Sequence, residues 1–348
     1  MTQAASNVRR HRPSRTWLFR LIAICMPVAL GICFSVWLLF QRGWLVVENN
    51  GIAFRRPPLY LEEQGHEVTG HRYLYDENLG WRNIPDWRAT TFGKPLTINS
   101  VGHRMQREYG HEKPAAVKRI LVLGDSYAWG YGVADDELFS ELLQDRLDRR
   151  EPSWEVINTG VSGWGTDQQY LYLKQEGLAF DPDIVVLAFF IGNDVDNNVA
   201  ATQYELNKPV FVGRKLALRN VPVPRPGRQV DRRVVNSLTQ LDPVQHTVNI
   251  IAALSRLCEQ HDIELVVMKF GIFLAPKLPY ALDLERRFSS AMDQAGLAKH
   301  YFDLDERFRE QGHDMQKLTA GNDDGHWNAF GHQQVAEELD EYLQQLPR

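Results

Sequence analysis

Apolar residues after position 118 alternate between short continuous runs and runs with helical spacing. Residues 120–123 and 184–191 are continuous apolar runs, typical of strands that are buried on both faces of a parallel sheet. Residues 135–149 instead place leucines along one face of a helix. Strands that alternate with helices in this way predict one α/β domain with a mainly parallel sheet.

The same alternation continues to the end of the chain. It predicts three more strands, and so five in all, with helices between them: strands at 156–158, 265–268 and 301–304, and helices at 166–176, 248–257, 282–295 and 333–346. Residues 200–240 break the rhythm, with four prolines and short β-like segments at 210–212 and 216–218. This stretch is either a hairpin lid or a tolerated insertion, and both interpretations stay open.

The N-terminal region has a different pattern. Residues 21–40 are twenty consecutive residues without a charged side chain. A helix of that length spans about 30 Å, so we predict one retained transmembrane anchor rather than a cleaved signal peptide. Five arginines precede it, which favours a cytoplasmic N-terminus. The predicted organisation is a cytoplasmic basic tail (1–20), an anchor in the bacterial inner membrane (21–40), a juxtamembrane stalk with a small extension (41–117) and a periplasmic catalytic domain (118–348).

Composition narrows the classes of function. The chain has 348 residues, is 44% hydrophobic and 24% charged, and has a net charge of −5, as expected of a globular protein. Because the five arginines lie in the tail, the body is more acidic still, which argues against nucleic-acid binding. Cys258 is the only cysteine after the apolar segment, so the body has no intrachain disulfide and we expect a buried, inert thiol there.

Polar residues follow the predicted strands where each strand ends. Gly124-Asp125-Ser126 follows the first strand, Asn158 to Gly163 the second and Gly192-Asn193-Asp194 the third, while 323–328 precedes the last helix. The carboxyl ends of parallel strands meet at one edge of the sheet, where ligands bind in open α/β folds. We therefore expect these groups to form one site.

This set of groups suits acyl transfer. Ser126 is the candidate nucleophile and His326 the base that accepts its proton, with Asp323 or Asp324 orienting the imidazole. The backbone N–H groups of Ser126 and Gly163 and the side-chain amide of Asn193 are the candidate oxyanion donors. No cofactor is needed for such chemistry.

The four blocks, in this order and spacing, resemble the SGNH (GDSL-like) hydrolase superfamily over residues 118–346. The resemblance implies a flavodoxin-like three-layer α/β/α sandwich and cofactor-free ester hydrolysis. It also implies Ser126 as nucleophile, Gly163 and Asn193 as oxyanion residues and His326 as base. Asp323 gives the usual Asp-x-x-His spacing. Asp324 gives Asp-x-His, which resembles periplasmic polysaccharide O-acetyltransferases, and the sequence leaves the two open.

Other residues near these motifs have structural alternatives. Trp164 and Trp327 flank the predicted site and either stack on a sugar ring or pack in the core. Asp125 and Asp194 are expected to be structural. His332 could join Asp323 and Asp324 in a metal site, but we favour packing at the start of the last helix and expect no metal. The glycines at 160–165 lack the lysine of a nucleotide-binding loop.

The sequence therefore predicts a membrane-anchored serine esterase that removes O-acetyl groups, with acetylated cell-envelope polysaccharide as the candidate substrate. An O-acyltransferase that passes the acyl group to a sugar hydroxyl is the first alternative. A non-catalytic envelope protein on a hydrolase fold is the second.

Overall fold

The computed structural model describes residues 15–41, 45–48, 51–54, 66–68, 71–271, 281–319 and 325–346. The chain divides into two units, residues 1–57 and 58–348. The first contains helix α1 (Arg15–Gln41) and an antiparallel hairpin of β1 (Leu45–Glu48) and β2 (Gly51–Phe54). Among the described residues, no helix combines the length and apolar composition needed to cross a bilayer. The transmembrane anchor at 21–40 stays a prediction.

The second unit is built on a five-stranded sheet in which every neighbouring pair is parallel. Its strands, in spatial order, are β16 (Tyr301–Asp303), β15 (Glu264–Phe270), β10 (Ile184–Phe190), β8 (Val117–Gly124) and β9 (Ser153–Asn158). The prediction of a five-stranded parallel sheet is confirmed, and the five predicted apolar runs are its strands.

Helices cover both faces of this sheet. The described α-helices that follow α1 are, in chain order, α2 (Ser126–Trp129), α3 (Phe139–Leu147), α4 (Thr166–Gln175), α5 (Asp194–Asn197), α6 (Arg232–Leu238), α7 (Pro243–Glu259), α8 (Ala281–Gln294), α9 (Leu304–Glu310) and α10 (Ala329–Gln345). Helices α4, α7 and α8 pack on one face, and α3, α9 and α10 pack on the other. The result is a three-layer α/β/α sandwich, as the sequence analysis expects.

The central strand β10 shows why the sheet is buried on both sides. Val185, Leu187 and Phe189 belong to one apolar cluster, while the alternate residues Val186 and Ala188 belong to the other. Successive side chains of a strand point to opposite faces, so a continuous apolar run is what a sheet with helices on both faces requires. Cys258, on α7, is buried as expected, and burial raises the pKa of its thiol to about 12.

Residues 66–97 form small antiparallel sheets beside the catalytic loops. Their strands are β3 (His66–Val68), β4 (His71–Asp76), β5 (Gly80–Asn83), β6 (Arg88–Thr91) and β7 (Lys94–Thr97). Trp81 is fully buried and donates its indole N–H to the Ser162 carbonyl at 3.1 Å. Asn83 donates to the Gly160 carbonyl at 3.1 Å. This extension therefore supports the loop that follows β9.

Arg104 and Asp135 form a buried ion pair beside β7, the last strand of the extension. Asp135 also accepts from the N–H of Thr97 at 2.9 Å and from its hydroxyl at 2.8 Å. The fixed charge of the guanidinium compensates that of the carboxylate, and the remaining lone pairs are satisfied by hydrogen bonds, as a buried ion pair requires.

Residues 200–240 contain two short hairpins, and α6 lies in this stretch. The first hairpin pairs β11 (Thr202–Gln203) with β12 (Leu206–Asn207), and the second pairs β13 (Val210–Val212) with β14 (Ala217–Arg219). Lys208, between them, is buried and forms an ion pair with Asp167 of α4 at 2.7 Å. The first hairpin reaches the catalytic residues, as described below.

Candidate active site

Ser126 lies at the carboxyl end of β8, as the first residue of α2. Asp125 caps this short helix by accepting the N–H of Tyr127 at 2.9 Å. A Cβ on Gly124 would lie 2.6 Å from the Ala128 Cβ, so only glycine permits this close turn from strand to helix. The turn places the Ser126 side chain at the carboxyl edge of the sheet, where the residue is 3% exposed to solvent.

His326 lies beside Ser126, although 200 positions separate them in the chain. The His326 Nε2 is 2.7 Å from the Ser126 Oγ. A serine hydroxyl at this distance from an imidazole can transfer its proton to it, and this is the geometry of an activated nucleophile. The structure thus brings these two residues together, and their roles as nucleophile and base stay predictions. Asp323 and Asp324 lie outside the described residues, so the choice between them stays a prediction.

Two tyrosine rings flank the imidazole of His326. The Tyr127 ring lies 4.6 Å away with an interplanar angle of 27°, and the Tyr131 ring lies 4.6 Å away with an angle of 33°. The Tyr127 hydroxyl donates to the Gly325 carbonyl at 3.0 Å. Aromatic faces attract cations, so the two rings favour the imidazolium that forms when His326 takes a proton.

Asn193 is tied to the turn at the nucleophile by a hydrogen bond to the residue that precedes Ser126. Its Nδ2 donates to Asp125 Oδ2 at 2.9 Å. A primary amide has two N–H groups, and the second has no acceptor within the described part of the chain, so it can donate to a ligand oxygen. Burial raises the pKa of the Asp125 carboxyl, while the hydrogen bonds from Asn193 and the Tyr127 N–H and the nearby His326 oppose that rise. Asp125 is thus a structural partner of the oxyanion residue.

Gly163 follows β9 on a loop that is tied to the nucleophile turn. The Val161 N–H donates to the Gly124 carbonyl at 3.2 Å. Neither the Ser126 N–H nor the Gly163 N–H donates to a turn or loop hydrogen bond within the described part of the chain. Both are therefore available to a developing oxyanion. Gly163 has a φ of +80°, a conformation that favours glycine.

Asp194 and His332 have structural roles. Asp194 accepts the Phe190 N–H at 2.9 Å, and burial raises its pKa, with a further rise from the charge of Asp125. The His332 Nδ1 accepts the Phe139 N–H at 3.1 Å, and its ring stacks on that of Phe139. Burial lowers the pKa of His332 to about 3. It packs near the start of the last helix, as the sequence analysis favoured.

Trp164 and Trp327 require a correction, because neither can stack on a substrate. Trp164 is 2% exposed and donates its indole N–H to the Trp81 carbonyl at 2.9 Å. Trp327 is 1% exposed and packs on Phe270, with 4.3 Å between ring centroids. Both indoles are buried in the core. Trp164 and Trp327 are adjacent to the motifs in sequence, but their ring faces do not line the opening of the site.

The aromatic residues at the opening are instead Phe92, Tyr131 and Tyr204. Tyr131 contacts the His326 ring in a tilted arrangement, Phe92 packs on Tyr131, and Tyr204 packs on Gly163. Phe92 and Tyr204 come from β-hairpins outside the parallel sheet. For Phe92 a turn signal existed in the sequence, because Gly93 follows it. The turn at Tyr204 has no such signal.

One cluster of carboxylates in the described chain has the spacing of metal ligands. It consists of Glu285, Asp303 and Asp305. The Lys269 Nζ lies among them, 2.5 Å from Glu285 and 2.8 Å from Asp303. Burial alone would lower the pKa of Lys269, but Asp305 and the other carboxylates raise it. The ammonium already supplies the cation that this cluster requires.

The chain is similar to a known protein family and to several solved structures. Residues 122–334 match the GDSL-like lipase/acylhydrolase family. The comparison with curated proteins gives no significant match. Similar solved structures include a psychrotrophic esterase from Pseudoalteromonas sp. (16% identity, 65% of this chain and 97% of that chain, TM-score 0.40). Others are the lipase/acylhydrolase from Enterococcus faecalis (15%, 65% and 95%, 0.41) and an acetylxylan esterase from Geobacillus stearothermophilus (15%, 64% and 92%, 0.41).

A three-layer α/β/α sandwich that joins a serine and a histidine at the carboxyl edge of its parallel sheet defines an ester-hydrolysing enzyme of the SGNH class. The family match covers more than half of the chain. The chain belongs to the GDSL-like lipase/acylhydrolase family, and the alternative of a non-catalytic protein on this fold is set aside.

Proposed function

We propose that the protein is a serine esterase that removes small acyl groups through an acyl-enzyme on Ser126. The observation that carries this proposal is the 2.7 Å contact between the Ser126 Oγ and the His326 Nε2. In the first step the Oγ–H proton passes to Nε2 while Oγ bonds to the ester carbonyl carbon. The negative charge that develops on the carbonyl oxygen is stabilised by the Ser126 and Gly163 N–H groups and the Asn193 amide.

The intermediate then collapses. The bond from the carbonyl carbon to the alcohol oxygen breaks, and His326 gives its proton to that oxygen, so the alcohol leaves and an acyl-serine remains. A water molecule then gives a proton to His326 and attacks the same carbon. His326 returns the proton to the Ser126 Oγ, and the carboxylic acid leaves.

Two features support a short acyl group on a carbohydrate. Ser126 is nearly buried, so a small acyl group such as acetyl reaches its hydroxyl most easily. The half-buried and exposed rings of Tyr131, Tyr204 and Phe92 at the opening suit the alcohol part of a sugar ester. Transfer to a sugar hydroxyl instead of water differs only in the acceptor, and product analysis with a labelled acetyl donor distinguishes the two. The predicted periplasmic location stays a prediction.

A serine-reactive fluorophosphonate tests the nucleophile directly. The chain offers a matched control, because Ser255 and His300 form a second, buried serine–histidine hydrogen bond at 3.0 Å. We expect peptide mapping to find the label on Ser126 and not on Ser255. Ser126→Ala should lower turnover of an acetyl ester to background with an unchanged melting temperature, whereas Ser255→Ala should retain turnover. Retained turnover in folded Ser126→Ala would refute the proposal.

A further inference from the structure

Two tight hairpins outside the parallel sheet each carry an aromatic residue at the tip. Phe92 and Gly93 connect β6 to β7, and Tyr204 and Glu205 connect β11 to β12. Tyr204 lies against Gly163, and Phe92 contacts Tyr131, which contacts His326, although the strands of the two hairpins lie more than 100 positions apart in the chain. The sheet itself needs neither aromatic ring for its packing.

The backbone at both tips is in the left-handed region. The φ angle is +50° at Phe92, +49° at Tyr204 and +63° at Glu205. Turns with two positive φ angles strongly prefer Asn-Gly or Gly-Gly, because in this conformation a Cβ atom lies too close to the following carbonyl oxygen. Such strained residues concentrate at ligand clamps and active sites. The aromatic residues at these two strained tips therefore favour a role in ligand binding.

Phe92 forms the outer end of a row of contacting rings that begins at His326. His326 and Tyr131 lie 4.6 Å apart with an interplanar angle of 33°, and Tyr131 and Phe92 lie 4.7 Å apart with an angle of 57°. Phe92 is 59% exposed. The row of rings therefore extends from the His326 imidazole to the solvent.

Tyr204 lies over the candidate oxyanion residue. A Cβ added to Gly163 would lie 2.8 Å from the Tyr204 Cδ2 and closer still to its Cε2. The Tyr204 hydroxyl interacts with the Ser162 side chain, and burial raises its pKa, with a further rise from the charge of Asp125. Tyr204 therefore flanks the oxyanion side of the site, as Tyr131 flanks the base.

We propose that Phe92, Tyr131 and Tyr204 form an aromatic bracket that binds the alcohol part of the ester, and that this alcohol is a neutral sugar ring. The inference rests on the proposed esterase function. Aromatic faces with a few polar groups at their edges suit a pyranose, whose C–H faces are apolar and whose rim is hydroxylated. The two tyrosine hydroxyls supply the polar edge, and the charge of Asp125 acts on the Tyr204 hydroxyl.

The test replaces the two tip residues by glycine, which fits a left-handed turn better than any other residue. Phe92→Gly and Tyr204→Gly are compared with the unaltered chain on two esters: methyl acetate, which has no ring, and a mono-O-acetylated methyl xylopyranoside. We expect the ratio of kcat/KM for the xyloside to that for methyl acetate to fall about 10-fold in each variant. The melting temperature should not fall, because the glycine relieves the strained φ angle.

Asp262→Gly is the matched control. Asp262 is also a non-glycine residue in the left-handed region, with a φ of +57°, but it lies just before β15 at the opposite edge of the sheet. It should leave the ratio for the two esters unchanged. An unchanged ratio in both Phe92→Gly and Tyr204→Gly would overturn the bracket.

A binding measurement separates this proposal from the esterase function. The acetylated xyloside is titrated into Ser126→Ala protein with and without Phe92→Gly, and binding is followed by ligand-observed NMR. Weaker binding in the double variant supports the bracket whether or not Ser126 is the nucleophile. Equal binding in the two proteins refutes it. Absence of turnover of both esters by the unaltered chain would instead refute the esterase function.

Discussion

Gly163→Ala tests the proposed contact between Tyr204 and the oxyanion loop. The added methyl group meets two separate costs. At a φ of +80° an L-residue is disfavoured by about 1–2 kcal/mol. The new Cβ would also lie 2.8 Å from the Tyr204 Cδ2, and overpacking of this kind costs about 1–3 kcal/mol. The free energy of unfolding should therefore fall by about 2–5 kcal/mol.

A double-mutant cycle with Tyr204→Ala separates the two costs. Removing the ring abolishes the steric clash, but it leaves the φ angle of residue 163 as it is. The two substitutions should therefore be less destabilising together than the sum of the single changes, with a coupling energy of about 1–3 kcal/mol measured by urea denaturation. Additivity within about 0.5 kcal/mol would refute the contact between Tyr204 and Gly163.

The same four proteins test the role of the Gly163 N–H. The N–H survives in Gly163→Ala, but the clash should displace the loop from its position relative to Ser126. We expect kcat for methyl acetate to fall in Gly163→Ala and to recover in part when Tyr204→Ala is added, because the loop can then return. A strongly destabilised Gly163→Ala with full kcat would contradict the assignment of this N–H to the oxyanion.

The remaining predictions concern the amide, a buried histidine and the extension. Asn193→Ala should lower kcat about 10²–10³-fold with little change in KM, and a loss confined to KM in steady-state kinetics would contradict this. Burial lowers the pKa of His332 to about 3 from an ordinary 6.5, so the unfolded chain binds a proton at this residue more readily than the folded chain does. The free energy of unfolding should therefore fall as the pH falls from 6.5 towards 3. His332→Gln, which keeps an acceptor for the Phe139 N–H, should flatten this slope by about 1.4 kcal/mol per pH unit in urea denaturation between pH 4 and 6; an unchanged slope would refute it. Trp81→Ala should lower the free energy of unfolding by about 3–5 kcal/mol, and a loss below about 1 kcal/mol would show that the extension contributes little to the core.

The central sheet was predictable because its signal is strong and local. A run such as 184–191 has no polar interruption, and only a strand covered by helices on both faces uses such a run. The carboxyl ends of parallel strands then bring Ser126 and Asn193 to one edge whatever the loop details are. His326 could be placed only through the family resemblance and its position before the last helix, and the structure brings it to 2.7 Å from the Ser126 Oγ.

The aromatic residues of the site were not predictable in the same way. Trp164 and Trp327 adjoin the motifs in sequence, but adjacency does not determine which face of the backbone a side chain takes. Trp164 turns towards the Trp81 carbonyl of the extension, a contact across 83 positions that no local pattern encodes. Tyr204 occupies a turn conformation that sequence rules reserve for glycine or asparagine, so those rules argue against its actual place.

The incorrect predictions for the aromatic residues have a common physical cause. The same cause bears on which elements position the catalytic groups and which set the substrate preference. The carboxyl ends of the parallel strands bring Ser126 and Asn193 to one edge of the sheet, and the segment before the last helix brings His326 to Ser126. The hairpin tips at Phe92 and Tyr204 break local rules, and a broken local rule persists only where the rest of the fold holds it in place. The extension is held by the buried Arg104–Asp135 pair and the insertion by the buried Lys208–Asp167 pair. Substrate preference can therefore change through the hairpin tips while the catalytic groups stay where the sheet puts them.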